Sequence, residues 1–232
     1  MSDLFDYLAW RGDIPLSQVP FGPVDGLILS TLSYVRFQEL VPDSPSLSVP
    51  LQQAAEAFLA LPEQEAEDRV RCRHDLPLLK ALLSAPRFAS LPLTFYQDCL
   101  DPEREMQFSA LTVLLDTGEA LLVFRGTDNT LVGWKEDFNL SFLEVVPAQS
   151  AALNYTAPAL CCWLDTPKGA TWLFFPPPSL PRSCGTGLAR YTATTAPASL
   201  SGCSPLPGIR SCSPASAAMF PSPLWWGCFW ST

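Results

Sequence analysis

Several things are scarce in this chain. It has one histidine, His74, in 232 residues, so an imidazole base has a single candidate position. No apolar run approaches the ~20 residues of a membrane span. The opening MSDLFDYLAWRGD carries acids where a secretory signal needs bases. The expectation is a cytoplasmic protein with no transmembrane segment, a compartment in which its eight cysteines stay reduced. Six of them, Cys161, Cys162, Cys184, Cys203, Cys212 and Cys228, fall in the last third without one CxxC pair, which leaves no spacing for a structural zinc. Neither a metal nor a cofactor is expected.

Acidic residues also run out. Residues 1–150 hold 22 Asp or Glu against 10 Lys or Arg, an acidic balance that gives no attraction to nucleic acid. Beyond them stand one acid, Asp165, and four bases, Lys168, Arg182, Arg190 and Arg210, together with half of the 24 prolines. The chain therefore divides near Tyr155 into an ordinary acidic part, 1–155, and a tail, 156–232, of different composition.

Periodicity places elements in the first part. Val24, Leu27, Ile28, Leu32 and Val35 recur at helical spacing and predict a helix over 24–40. LQQAAEAFLAL predicts a second over 51–61, stopped by Pro62, and LPLLKALLSA a third over 76–85, with Pro77 in its first turn. From Phe108 the period changes. FSALTVLL, DTGE and ALLVF read as a β-hairpin whose second strand, apolar throughout, is buried on both faces. Pro147 opens another helical stretch. Beyond Tyr155 no period holds, and segments such as PPPSLP and TATTAPASLSG look like a low-complexity linker, although WWGCFW near the end does not.

The stretch after the buried strand carries chemistry. FRGTD, residues 124–128, resembles the corresponding motif of the class 3 lipases, a branch of the α/β-hydrolases. The longer run, FRGTD followed by LVGWKEDFN and VPAQ, is similar to a family of largely uncharacterised bacterial proteins related to those lipases, as are DYLAWRGD and DGLILSTLSY near the start. The resemblance implies an α/β fold of hydrolase type and an ester or lipid as the small-molecule substrate of an intact relative. It makes Thr127 a donor of the oxyanion hole and Gly126 the point where backbone approaches substrate. Arg125 and Asp128 are expected to fix the loop. Trp134, Lys135 and Asp137 match the family pattern without a role derivable from sequence. The plain alternative is a strand ending in a tight turn, with Thr127 and Asp128 capping the next element.

A hydrolase of this type next needs a nucleophile elbow, G-x-S-x-G, and none exists in the chain. His74 lies upstream, whereas these enzymes take their base from beyond the nucleophile; it reads as a helix-surface residue. No nucleophile and no base are therefore in frame. The genetic code suggests why. Taking the last base of each codon with the first two of the next, residues 164–175 permit GHSKGGNLAVF, the elbow this family uses, where it is due. In the same frame TATTAPAS, residues 192–199, permits SNDGPGF, which contains another string of that family. The expectation is an incomplete α/β-hydrolase-like chain of N-terminal helices, hairpin and buried strand, out of frame after about Tyr155 and irregular in its C-terminal third. It would be inactive itself. The competing expectation is a non-catalytic binding protein with a disordered, aromatic tail whose WWGCFW end, with Trp225, Trp226 and Trp230, contacts a partner or a membrane surface.

Overall fold

The structure, a computed structural model, describes residues 3–71, 74–164, 171–175, 189–192, 204–206 and 209–211, and beyond Thr156 the description is of backbone alone. The first helix, α1 (Leu4–Arg11), is nucleated by acids: the Asp3 carboxylate accepts from Phe5 and Asp6 N–H, and Asp6 accepts from Asp3 N–H. The next, α2 (Pro23–Thr31), has Pro23 in its first turn.

Here the structure corrects the sequence. The helix expected over 24–40 stops at Thr31, passes through one 3-10 turn at Leu32–Tyr34 and leaves extended at Val35. The Ser30, Thr31 and Ser33 hydroxyls each donate to the carbonyl three residues back, at 2.7, 2.6 and 2.8 Å, and so compete with the backbone for helical acceptors. Val35, the last residue of the expected stripe, is buried from a loop instead, as are Phe37 and Val41.

After the short strand β1 (Ser48–Pro50) come α3 (Leu51–Leu59), α4 (Glu63–Asp68), α5 (Asp75–Leu83) and α6 (Pro86–Ala89). Of these, α3 and α5 fall where the periodicity put them; α4 and α6 were not foreseen. His74 is exposed and stands just before α5, not on its surface.

Three strands then follow in sequence: β2 (Pro92–Asp101), β3 (Met106–Leu114) and β4 (Ala120–Phe124). They form an antiparallel meander, and β1 pairs antiparallel with β2 at its edge. The β3–β4 turn is the expected DTGE, closed by Leu115 N–H to Glu119 O at 2.8 Å, with Gly118 at φ 85°. A register shift between Thr94 and Gln97, where Phe95 has φ 51°, sends Phe95 to one face of the sheet and its neighbour Tyr96 to the other.

The hairpin is buried on both faces. Leu111, Val113, Leu121 and Val123 join the core under α1–α6. Phe108, Ala110, Ala120 and Leu122 meet Ala152 and Tyr155 of α8 (Pro147–Leu164) on the other side. Tyr155 is the keystone of that second face. Its ring stacks on Phe95 with centroids 4.3 Å apart, and its hydroxyl donates to Phe95 O at 2.6 Å and lies 2.8 Å from Thr112 Oγ1. Helices thus cover both sides of the sheet, an α/β arrangement.

Helix α8 runs past Tyr155 to Leu164, and β5 (Thr171–Phe175) pairs parallel with β4, followed by β6 (Ala189–Thr192) antiparallel to β5. A separate pair, β7 (Ser204–Leu206) and β8 (Ile209–Ser211), completes the described strands. TWLFF is a strand-prone run, which the low-complexity reading of its surroundings obscured. The shifted-frame positions 165–170 and the Trp225, Trp226 and Trp230 cluster lie outside the described residues. No described helix is long and apolar enough to cross a membrane.

One buried ion pair organises the helical layer. Arg87 and Asp25, both fully buried, meet through two nitrogens at 2.7 and 2.5 Å. Arg87 also donates to the carbonyls of Ile14, Val19 and Pro20, while Tyr7 OH and Gly22 N–H complete the Asp25 shell. Tyr7 and Asp25 come from the DYLAWRGD and DGLILSTLSY strings, so those two residues serve packing here. Arg87→Met, which strands the Asp25 charge, is expected to cost about 3–5 kcal/mol. Tyr7→Phe should cost about 1 kcal/mol. Urea unfolding checks both; equal, small losses would remove the pair from this role.

Candidate active-site loop

The last ladder bond of β4 is Arg125 N–H to Ser109 O at 2.9 Å; beyond it the chain turns through Gly126, Thr127 and Asp128 into α7 (Leu131–Asn139). Arg125 is buried and reaches back across the sheet to Asp98 of β2, which accepts through both oxygens, at 2.8 and 3.3 Å. Asp98 is held further by Gln38 Nε2 at 2.7 Å and Tyr96 OH at 3.3 Å, with Arg36 Nε 3.9 Å away. Burial, and then the Asp98 charge, push the Tyr96 phenol far above its ordinary range, so it stays a neutral donor. Arg36 and Arg125 both lie 3.7 Å from Asp128 Oδ2. Two arginines and two aspartates therefore interlock beneath the loop.

Asp128 also prepares the helix. Its Oδ1 accepts from the Thr130 N–H at 2.9 Å and the Thr130 hydroxyl at 2.5 Å, and Thr130 Oγ1 in turn accepts from Gly133 N–H at 3.1 Å. The N-cap of α7 is thus Thr130, braced by Asp128, and neither Thr127 nor Asp128 is itself the cap. The helix sits hard on the loop: a Cβ at Gly133 would lie 3.1 Å from Asp128 Oδ1 and 3.2 Å from Thr127 Cγ2.

Thr127 is half-buried at the surface of this frame, and its hydroxyl donates to Asp137 Oδ2 at 2.6 Å. Its backbone N–H has no acceptor among the described residues. The geometry brings together Arg125, Gly126, Thr127, Asp128 and Asp137. It leaves two motif residues outside: Trp134 is 58% exposed, and Lys135 points away to Glu105 Oε1 at 3.3 Å. Asn139, and then Lys135, draw the Glu105 carboxyl below its usual range. His74 belongs to the helical layer and takes no part in the cluster.

Three residues that sequence did not single out hold the loop: Asp98, Gln107 and Glu136. Gln107 Oε1 accepts from Asp128 N–H at 3.2 Å. Glu136, buried, accepts from Gln107 N–H at 2.9 Å and from Ala148 N–H, at the start of α8, at 2.8 Å. Burial pushes the Glu136 carboxyl up, against the two N–H donors that pull it down. A charge standing alone inside a strand-rich segment, as Asp98 does in TFYQDCL, is the signal that could have found one of them. No described group of three acids, cysteines or histidines is placed to hold a metal ion.

What the arrangement can do is present a braced N–H donor at a strand end, the geometry that stabilises developing negative charge on an oxygen. The bracing is testable apart from any chemistry. Asp98→Ala leaves the buried Arg125 with only its distant Asp128 partner, and about 3 kcal/mol of stability should be lost. Thr130→Ala removes the cap and one of two donors to Asp128 Oδ1, which keeps the Thr130 N–H, and should cost about 1–2 kcal/mol. The order of the two chemical-denaturation midpoints decides, and a milder Asp98→Ala would contradict the geometry.

Comparison with known proteins gives one family. The family model described as Mbeg1-like matches residues 82–200, from the end of α5 through the sheet, the FRGTD loop, α7 and α8. No curated protein and no solved structure matches the chain. The match covers half of the sequence and contains the whole candidate loop: the chain belongs to the Mbeg1-like family, whose relationship is to lipase-like hydrolases.

Proposed function

We propose that the chain is a truncated member of a lipase- or esterase-type serine hydrolase family, retaining the oxyanion loop and lacking the nucleophile. The observation that carries this is Thr127: its N–H, at the end of β4, has no acceptor among the described residues, while Asp137 fixes its hydroxyl from 2.6 Å. A hydroxyl has one proton, and here it goes to Asp137, so the backbone N–H is the donor left for substrate. In an intact arrangement a serine attacks the ester carbonyl, a histidine takes and returns the proton, and an acid orients the histidine. The oxyanion that forms would lie against Thr127 N–H, one such donor lowering the barrier by roughly 3 kcal/mol. Arg125 and Asp128 would act at one remove, by holding the loop.

The remaining machinery is missing from this frame. No G-x-S-x-G occurs, and the one histidine is upstream. The shifted-frame GHSKGGNLAVF over 164–175 supports an elbow lost to a frame lesion. The family match runs on to residue 200, which makes the 156–200 stretch the part of this reading that the gene itself decides.

One observation favours a second reading, a binding protein. Leu131, Trp134 and Phe138 form an outward apolar stripe on α7, extended by Phe142, whose ring lies 5.3 Å from Phe138. Such a face suits an apolar partner as well as an ester or lipid chain.

Hydrolysis of p-nitrophenyl butyrate separates the two. The chain as it stands should give no rate above background. A version with the shifted frame restored should hydrolyse the ester and lose roughly 10- to 100-fold in kcat on Asp137→Ala, through a displaced Thr127 N–H. Turnover by the unaltered chain, blocked by a serine-directed phosphonate, would show that the nucleophile lies elsewhere. An inert restored version would favour the binding reading.

A further inference from the structure

Four polar atoms beneath the FRGTD loop have no hydrogen-bond partner among the described residues: Gln107 Nε2, Ser109 Oγ, Arg125 Nε and Asp128 Oδ2. Each belongs to a side chain more than nine-tenths buried, where an unmet donor or acceptor carries its full desolvation cost. They stand together. Gln107 and Ser109 are alternate residues of β3, so they share a face with Leu111 and Val113. Arg125 continues the alternation of Leu121 and Val123 on the same side, and its side chain reaches Asp98, the residue opposite Ser109. Gln107 Oε1 already holds the Asp128 N–H at 3.2 Å, which brings the rest of that carboxamide beside Asp128. Ser109 Oγ stands beside the Tyr96 phenol without closing a bond to it.

The Arg125 guanidinium gives the direction. Asp98 takes its Nη1 and Nη2. The remaining edge, Nε with Nη2, is turned toward Asp128: Nη2 lies 3.7 Å from Oδ2, and Arg36 Nη2 is equally distant from that oxygen. Both separations are too long for a direct hydrogen bond and are of the kind a bridging molecule closes. We infer that these four atoms bind one water molecule, which accepts from Arg125 Nε–H and Gln107 Nε2–H and donates to Asp128 Oδ2 and Ser109 Oγ. Water has two lone pairs and two protons, and the site offers two N–H donors, a carboxylate that only accepts and a hydroxyl that can do either. An anion in the same place could give Asp128 no proton, and a metal cation would meet two N–H groups and the charges of Arg36 and Arg125. Buried waters make about three such bonds each, to groups the fold leaves unpaired. The molecule ties Asp128 of the loop to β3 and to the end of β4, a second brace beside the Asp98–Arg125 pair. It does not depend on the hydrolase reading.

A high-resolution crystal structure of the full chain tests this, with solution NMR as a second measurement. The expected density is a single water-sized peak within hydrogen-bond distance of at least three of the four atoms. In solution, Arg125 Hε should show a rotating-frame Overhauser cross-peak to the water line, opposite in sign to the diagonal, which separates a held water from proton exchange. Ser109→Ala should keep that cross-peak, since the water retains three partners and no hydroxyl remains there to relay it. No density at the site, direct pairing of Gln107 Nε2 or Arg125 Nε with Asp128 Oδ2, no cross-peak in the wild type, or a cross-peak lost in Ser109→Ala would each overturn the site. If Ser109→Ala does not fold, either measurement on the wild type still decides.

Discussion

Everything in this structure leans on a five-residue strand with an apolar layer on each side. Leu121 and Val123 face the helical layer, Ala120 and Leu122 face Tyr155 and Ala152, and all four strand residues are almost wholly removed from water. A strand so enclosed cannot slip by one residue without exchanging its two faces between differently shaped cores. Its exit point is therefore fixed, and with it the place where Arg125 must find a partner. That partner is Asp98, inside a strand running the same way two positions across the sheet. The polar frame beneath the loop follows from the register of the core.

The elements legible in the sequence are those whose pattern is local. The hairpin, α3, α5 and the start of α8 each carry a period or a punctuating proline within a few residues. What was illegible depended on competition or distance. Three hydroxyls in STLS shortened a helix that its apolar spacing extended to residue 40. The bulge at Phe95 broke the alternation that would have announced β2. Past Tyr155, proline-rich composition hid both the rest of α8 and the TWLFF strand.

The candidate site divides the same way. Arg125, Gly126, Thr127, Asp128 and Asp137 were found because they lie in one run and carry a resemblance. Asp98, Gln107 and Glu136 were not, because their partners stand 27, 21 and 29 residues off, respectively Arg125, Asp128 and Gln107. Trp134 and Lys135 travelled with the motif yet face outward, so membership of a pattern did not by itself mark a residue of the loop. A motif names the residues close to the chemistry; the folded sheet names those that hold them still.

On the proposed reading, an oxyanion loop has been kept while the residues meant to use it were lost to a change of reading frame. Sequencing the gene across codons 150–200 tests this most directly. The expected result is GGN-CAC-TCN-AAR in the shifted frame at residues 164–168, restored to phase in related genes by a short insertion. Third bases incompatible with that string, or related genes that keep the present tail in phase, would contradict it.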